Sequence, residues 1–262
     1  MPTIKLRVEK TGRYAGVIMS VLRLIFCFFL FSGAATGNPS ARATVDFVAE
    51  VGEARLMLAE HILRSAADFV ASNPDIGSVQ GHRALARILN KAPPFRSILA
   101  IDNEGQLRFD SFNMVKFLGA SDLSRRAYFS STTNAASKQM IVNSPIVAKQ
   151  SGRVTIPLTM AVPNGNGRFQ EVVALMADPE ALLPKVETCG FCGVLLAKGG
   201  EVLVSNHFMS EINEAIVARL EFTGHYGMVE LTVRGMDVSV HWKRSASTDL
   251  VFVFYEATPI KM

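Results

Sequence analysis

Asp122-Leu123-Ser124-Arg125-Arg126-Ala127-Tyr128-Phe129-Ser130-Ser131 sets two guanidinium groups beside two aromatic rings, just after the loop Phe117-Leu118-Gly119-Ala120. Arginine offers a rigid fork of donors and a neighbouring ring supplies an apolar wall at small entropic cost, so the cluster suits gripping a small anion. The same residues also suit the start of a surface helix. Asp122 or Ser124 would then cap it, the arginines would be solvated and the aromatics would face the core. The chain on either side bears on the choice.

Immediately upstream, Ser97 to Ile101, the turn Asp102-Asn103-Glu104-Gly105 and Gln106 to Ser111 read as a hairpin, with Gly105 supplying the positive φ of the turn. A short helix is expected from Ser124 to Ala136. Three strands are expected downstream, at Gln139 to Ala148, Arg153 to Val162 and Phe169 to Ala177, joined by Lys149-Gln150-Ser151-Gly152 and Pro163-Asn164-Gly165-Asn166-Gly167. Two strands, a helical insertion and three sequential strands describe an antiparallel sheet with one covered face, the PAS-like arrangement.

The same order recurs in shorter form. Gly193 to Ala197 and Glu201 to Ser205 flank Lys198-Gly199-Gly200; a helix follows from Ser210 to Leu220, then strands at Tyr226 to Arg234, Met236 to Arg244 and Leu250 to Glu256. Ahead of both units, Ala41 to Ser72 has helical periodicity. Val45, Val48, Val51, Leu58, Ile62, Ala66 and Phe69 fall near one face, and Glu60, Arg64 and Asp68 line another. Asn73-Pro74 ends that helix, a shorter one is expected at Gly81 to Asn90, and Pro93-Pro94 marks a boundary.

The N-terminus reads as a membrane signal. Tyr14 to Ala35 is 22 residues long with Arg23 as its only charge, enough to span a bilayer. Alternatively Arg23 closes the basic region of a signal peptide, with Gly33-Ala34-Ala35 or Ala41-Arg42-Ala43 as the cleavage site. By either reading the folded part lies across the membrane, in the periplasm of a bacterium with a single N-terminal span or released there. The formal charge of +4 belongs to this segment: taking five of the 27 basic residues and one of the 23 acidic residues away with positions 1 to 36 leaves 22 of each. A balanced body argues against nucleic acid as a partner.

Other chemistry is sparse. Cys189-Gly190-Phe191-Cys192 has thioredoxin-like spacing without the surrounding strand-then-helix pattern, so a local disulfide in an oxidising compartment is the plainest reading, ahead of a periplasmic dithiol protein. His61, His82, His207, His225 and His241 match no metal template, and no glycine-rich phosphate loop or nucleophile elbow occurs. No cofactor, metal or catalytic activity is expected.

With these elements in order, the chain resembles the double Cache sensor domains of bacteria. The likeness rests on the hairpin Ile101 to Gly105, the Asp-Leu-Ser-x-Arg-x-Tyr-Phe of Asp122 to Phe129 and the closing Asp-Pro-Glu-Ala-Leu of Asp178 to Leu182, over about residues 40 to 258. It implies an α+β fold: a long N-terminal helix carrying two PAS-like antiparallel-sheet modules, preceded by a transmembrane segment. The expected divisions are 1–13 (cytoplasmic leader), 14–36 (anchor or signal peptide), 37–92 (long helix and connector), 93–185 (membrane-distal ligand-binding module) and 186–262 (membrane-proximal module).

The resemblance further implies an extracytoplasmic ligand sensor of a signal-transduction protein, dimeric through the long helix, with a separate signalling partner or the membrane as its output. Its arginine and aromatics grip a ligand carboxylate, and Arg126, Tyr128 and Phe129 match those positions, whereas Arg125 is expected to face solvent. Where family members that bind amino acids carry an aspartate for the ligand ammonium, this chain has Met176, with Asp178 two residues on. Asp110, Asn143 and Thr159 are expected at the rim. The ligand class is accordingly an organic acid or an amino acid. A soluble periplasmic binding protein is the alternative.

Overall fold

A computed structural model of the chain describes residues 41–90, 94–112, 122–135, 138–148, 151–163, 169–186, 191–206, 210–219 and 223–260. Tyr14 to Ala35 lies outside them. Among the described residues no helix is long and apolar enough to cross a membrane.

Helix α1 (Ala41–Ser72) runs for 32 residues and stops where expected. Asn73 caps it, its Nδ2 donating to the Phe69 carbonyl at 2.8 Å, and Pro74 cannot extend the ladder. Its buried stripe includes Val45, Val48, Gly52, Leu56, Ala59, Leu63 and Val70, so Val51, Leu58 and Phe69 sit only half-buried at its margins. The face is wider than one stripe of branched residues because the helix serves two sheets. A short helix α2 (Ser78–Leu89) follows.

The first sheet contains β1 (Phe95–Asp102), β2 (Leu107–Asp110), β3 (Ile141–Val142), β4 (Ile146–Val147), β5 (Val154–Pro163) and β6 (Phe169–Ala177), with helix α3 (Ala127–Ala135) inserted between β2 and β3. Its order is β2-β1-β6-β5-β3, with β4 pairing further along β5, and every pairing is antiparallel. The single strand expected over Gln139 to Ala148 is two short ones. Pro145 has no N–H to give to a ladder, and Asn143 turns its side chain onto the Pro157 carbonyl (3.1 Å), so pairing lapses between them.

The second sheet repeats the plan with β7 (Cys192–Lys198), β8 (Glu201–Ser205), helix α4 (Ser210–Arg219), β9 (Tyr226–Val233), β10 (Met236–Arg244) and β11 (Leu250–Pro259) in the order β8-β7-β11-β10-β9. In both sheets the opening hairpin pairs with the last strand, which pairs with the one before it.

One apolar core joins α1 to both sheets. Ile98, Leu158 and Leu175 come from the first, and Val194, Phe252 and Phe254 from the second. Polar ties fix the helix against the second module: Lys243 Nζ donates to Asp46 at 2.8 Å, and the Glu53 carboxylate accepts from Ala246 N and Ser247 Oγ, each at 3.0 Å. The modules also touch directly through Lys198 Nζ to the Val142 carbonyl (2.7 Å) and Ser144 Oγ to Glu201 (3.0 Å). At the other end, Arg108 pairs with buried Glu171 and donates to the Pro74 carbonyl at 2.7 Å, tying the first hairpin to the exit of α1.

Gly52 is where α1 lies closest to the second sheet, and a side chain there would overlap the ring of buried Phe252. Overpacking of this kind costs about 1–3 kcal/mol and a larger side chain meets more of the ring, which outweighs the ~1 kcal/mol gained by removing a mid-helix glycine, so Gly52→Leu should lower the midpoint of urea unfolding. An unchanged midpoint would mean that the helix does not sit against Phe252.

Candidate functional site

The β1–β2 turn is built by its own side chains. Asp102 Oδ1 accepts from Glu104 N (3.0 Å) and Gln106 N (2.8 Å), and Gly105 takes φ of +83°, which a side chain would strain. The Arg-aromatic segment is laid across this turn. Leu123 N donates to the Gly105 carbonyl at 2.7 Å, and a Cβ on Gly105 would run into the Ser124 backbone. Asp122 Oδ1 then accepts from both Ser124 N (2.9 Å) and Ser124 Oγ (2.6 Å). That local ring occupies both groups, so the helix starts at Ala127, three residues later than the spacing predicts, and the Arg126 carbonyl takes its first bonds from Phe129 N and Ser130 N.

The sheet beneath has two distinct faces. Ile98, Leu175, Ile156 and Leu158 point to α1, while Leu99, Ala174 and Met176 point the other way, toward α3. A bulge between Phe95 and Ser97 alters this alternation at the start of β1 and brings both Arg96 and Ser97 to the α3 side. Between that face and the segment from Leu123 to Tyr128 lies a cavity of about 330 Å³. Its wall is mainly apolar, with Leu99, Leu107, Leu123, Ile146 and Met176, and its charged members are Arg96, Arg126 and Asp110. An apolar hollow with a few convergent polar groups is the usual form of a small-molecule seat.

Four of the eight residues singled out in the sequence meet at this cavity: Arg126, Tyr128, Asp110 and Met176. Arg126 is half-buried and Arg125 is exposed. Asp110 is buried; its Oδ1 accepts from Phe112 N at 2.8 Å, and its backbone N and carbonyl lie 3.0 and 2.8 Å from His82 Nδ1, which bonds one or the other according to its protonation.

The other four lie elsewhere. Phe129 is packed with Ile101, Val172 and Ala174 behind the wall. Asn143 and Thr159 brace α3 against β5. Asn143 Nδ2 donates to Thr159 Oγ1 (2.9 Å), Ser131 Oγ donates to Asn143 Oδ1 (2.6 Å), and the Thr132 and Thr159 hydroxyls are 2.6 Å apart. Asp178 stands just beyond β6, with its carboxylate 3.5 Å from Arg96 Nη1.

Arg96, Ser97 and Thr155 line the cavity without having been singled out in the sequence. Alternation alone would separate Arg96 from Ser97, and a bulge leaves no mark in one sequence. Thr155 was within reach: Thr155, Pro157 and Thr159 alternate with Ile156, Leu158 and Met160, a period-2 signal for a polar face opposite α1. Cys192 is disulfide-bonded, and Cys189 lies outside the described residues. Among the described residues no three His, Cys, Asp or Glu side chains are placed to hold a metal.

Tyr128 is 2% exposed, and burial pushes its phenol up to about 12, only partly opposed by the nearby Arg126 charge. The folded chain therefore holds this proton through a window, from about 10 to about 12, in which the unfolded chain releases it. Stability present below that window is lost as pH rises through it. In an ultraviolet titration of phenolate, Tyr128→Phe should remove a late-titrating phenol; removal of one that titrates near pH 10 would show Tyr128 to be solvated.

No family model and no curated protein matches this sequence. Solved structures do match in fold. The extracellular domain described as that of a histidine kinase, rpHK1S-Z16, superposes with a TM-score of 0.68 at 17% identity, covering 84% of this chain and 96% of that one. The ligand-binding domain of the Pseudomonas aeruginosa PAO1 amino acid chemoreceptor PctB, in complex with L-Gln, gives 0.63 at 12% identity (82% and 88% covered). That of the Pseudomonas fluorescens chemoreceptor CtaA, in complex with L-alanine, gives 0.60 at 17% (83% and 95%). The two-sheet, long-helix architecture of the described residues is thus the fold that these extracellular ligand-binding domains share.

Proposed function

We propose that this chain is the extracytoplasmic sensing part of a bacterial signal-transduction protein, and that its first module binds a small carboxylated metabolite. The observation that carries the proposal is Arg126, a half-buried guanidinium in the wall of an otherwise mainly apolar cavity, beside the buried ring of Tyr128. A carboxylate is the natural partner of such a fork. The domains of like fold include complexes with L-alanine, L-Gln and GABA, each of which carries a carboxylate. The ligand's ammonium, if it has one, meets no acid of β6 at the cavity, because Glu171 of that strand is paired with Arg108 and lies outside the wall. Met176 is apolar, and Asp178, just beyond the end of β6, is not in the cavity wall. The acid in the wall, Asp110, already accepts from Phe112 N through Oδ1, and organic acids are therefore favoured over amino acids.

Transmission would run by two routes. Asn143 braces the cavity-covering helix, and the carbonyl of neighbouring Val142 accepts from Lys198 of the second module. Helix α1 packs on both sheets and leads back to the Tyr14 to Ala35 segment, which in this reading anchors the protein in the inner membrane. A ligand shifts such a device only by binding one arrangement better than another. Exposed residues Ala43, Phe47, Glu50, Ala54, Met57 and His61 recur at alternating spacings of four and three, a seam that suits a second copy of the helix. Phe47 and Met57 are 52% and 67% exposed along it.

A thermal-shift screen of organic acids, amino acids and amines on the purified chain tests the proposal. At least one acid should raise the melting temperature, with the shift lost in Arg126→Ala. Stabilisation only by amines, or an equal shift in the variant, would defeat the role given to Arg126.

A further inference from the structure

The end of the cavity around Arg96 has no assigned role. The Leu123–Arg126 segment enters over the β1–β2 turn, whereas Arg96 stands at the opposite end of β1. Ala177 of β6 pairs with Phe95 on one side and Ile156 on the other, so Arg96 and Thr155 flank the end of β6 about two strand spacings, ~10 Å, apart. An arginine side chain spans much of that gap. The bulge at the start of β1 brings Arg96 to the cavity face that Thr155 also lines.

Both residues carry unused hydrogen-bonding capacity. Among the described residues Arg96 Nη1 is shut off from solvent without a hydrogen-bond partner; its charge partner there, Asp178, is at 3.5 Å, longer than a charge-assisted hydrogen bond, and its side chain is substantially exposed. Thr155 is 1% exposed, and among the described residues its Oγ1 also has no hydrogen-bond partner. Buried donors left unsatisfied are costly and uncommon in folded proteins, and two at one end of one cavity mark where an acceptor oxygen belongs. The acid in the wall, Asp110, is on β2 opposite Leu99, with Oδ1 already given to Phe112 N.

Building on the reading of this cavity as a carboxylate seat, we propose that its ligand is a small dicarboxylate, held at one end by Arg126 and at the other by Arg96 and Thr155. The second carboxylate accepts from Arg96 Nη1 and from the Thr155 hydroxyl. In doing so it takes over from Asp178, which is exposed enough to turn to water. The apolar wall between the poles, from Leu99 to Met176, faces the ligand's methylene chain.

Calorimetric titration of the full chain with succinate, glutarate and adipate, against butyrate, valerate and hexanoate of matched length, tests this. At least one dicarboxylate should bind about tenfold or more tighter than its matched monocarboxylate, because a site built to bond a polar group rejects the analogue that lacks it. Arg96→Gln and Thr155→Val should each narrow that preference. Thr155→Val removes only an unused hydroxyl, so the free protein should melt at or above the wild-type temperature while losing dicarboxylate affinity. Matched acids binding equally well, or a preference that survives both variants, overturns the second pole. If monocarboxylates bind in an Arg126-dependent manner with no gain from a second carboxylate, the inference fails and the proposed function stands. If no acid binds, both fail.

Discussion

One helix has to satisfy two sheets at once, and the rest of the architecture follows from that constraint. α1, at 32 residues, is about 48 Å long, longer than either sheet needs for cover. Its buried side must therefore present large residues where a sheet recedes and none where one presses close. Leu56 and Leu63 are fully buried large side chains of that face, and Gly52 leaves room for the ring of Phe252. The hydrophobic effect makes the packing favourable, but it is non-directional. Asp46 to Lys243, Glu53 to the Ala246–Ser247 backbone and Arg55 to the Glu180 carbonyl (3.1 Å) add direction, fixing the register of the helix on the modules.

The same constraint leaves one face of the first sheet free for a ligand. With Ile98, Leu158 and Leu175 committed to α1, the opposite residues of the same strands are covered, among the described residues, by α3, the segment before it and Ile146 of β4. That cover is held by hydrogen bonds at its two ends, at the Gly105 carbonyl and at the Asn143–Thr159 pair, with the cavity between. Asn143 and Thr159 thus belong to the frame of the site and not to its wall. In the second module Tyr255 fills the space over Gly193, and Trp242 that over Gly227, against the corresponding strands. Glycine at each of those positions leaves room for the large ring.

The succession of strands, the long helix and the repeat were legible in the sequence because each rests on a short-range period or a turn residue: the helical spacing of Val45 to Ala66, the Asn73-Pro74 stop, the Gly105 turn. Of the candidate site, the part carried by a local motif was legible, namely Arg126 and Tyr128. What was not legible depends on partners distant in sequence. The bulge at Arg96 exists only in relation to β6, and the inward rotation of Phe129 is set by the Ile101–Val172–Ala174 cluster. Splitting of the Gln139–Ala148 strand had a local cause in Pro145, and the residue type alone was warning enough.

The seat of the ligand is the claim on which the functional account depends. A crystal structure of the protein grown with a stabilising acid measures it directly. The account predicts density for the ligand on the α3 side of the first sheet, with a carboxylate paired to the Arg126 guanidinium. Ligand density only in the second module or on the α1 side, with that cavity filled by water, would contradict it.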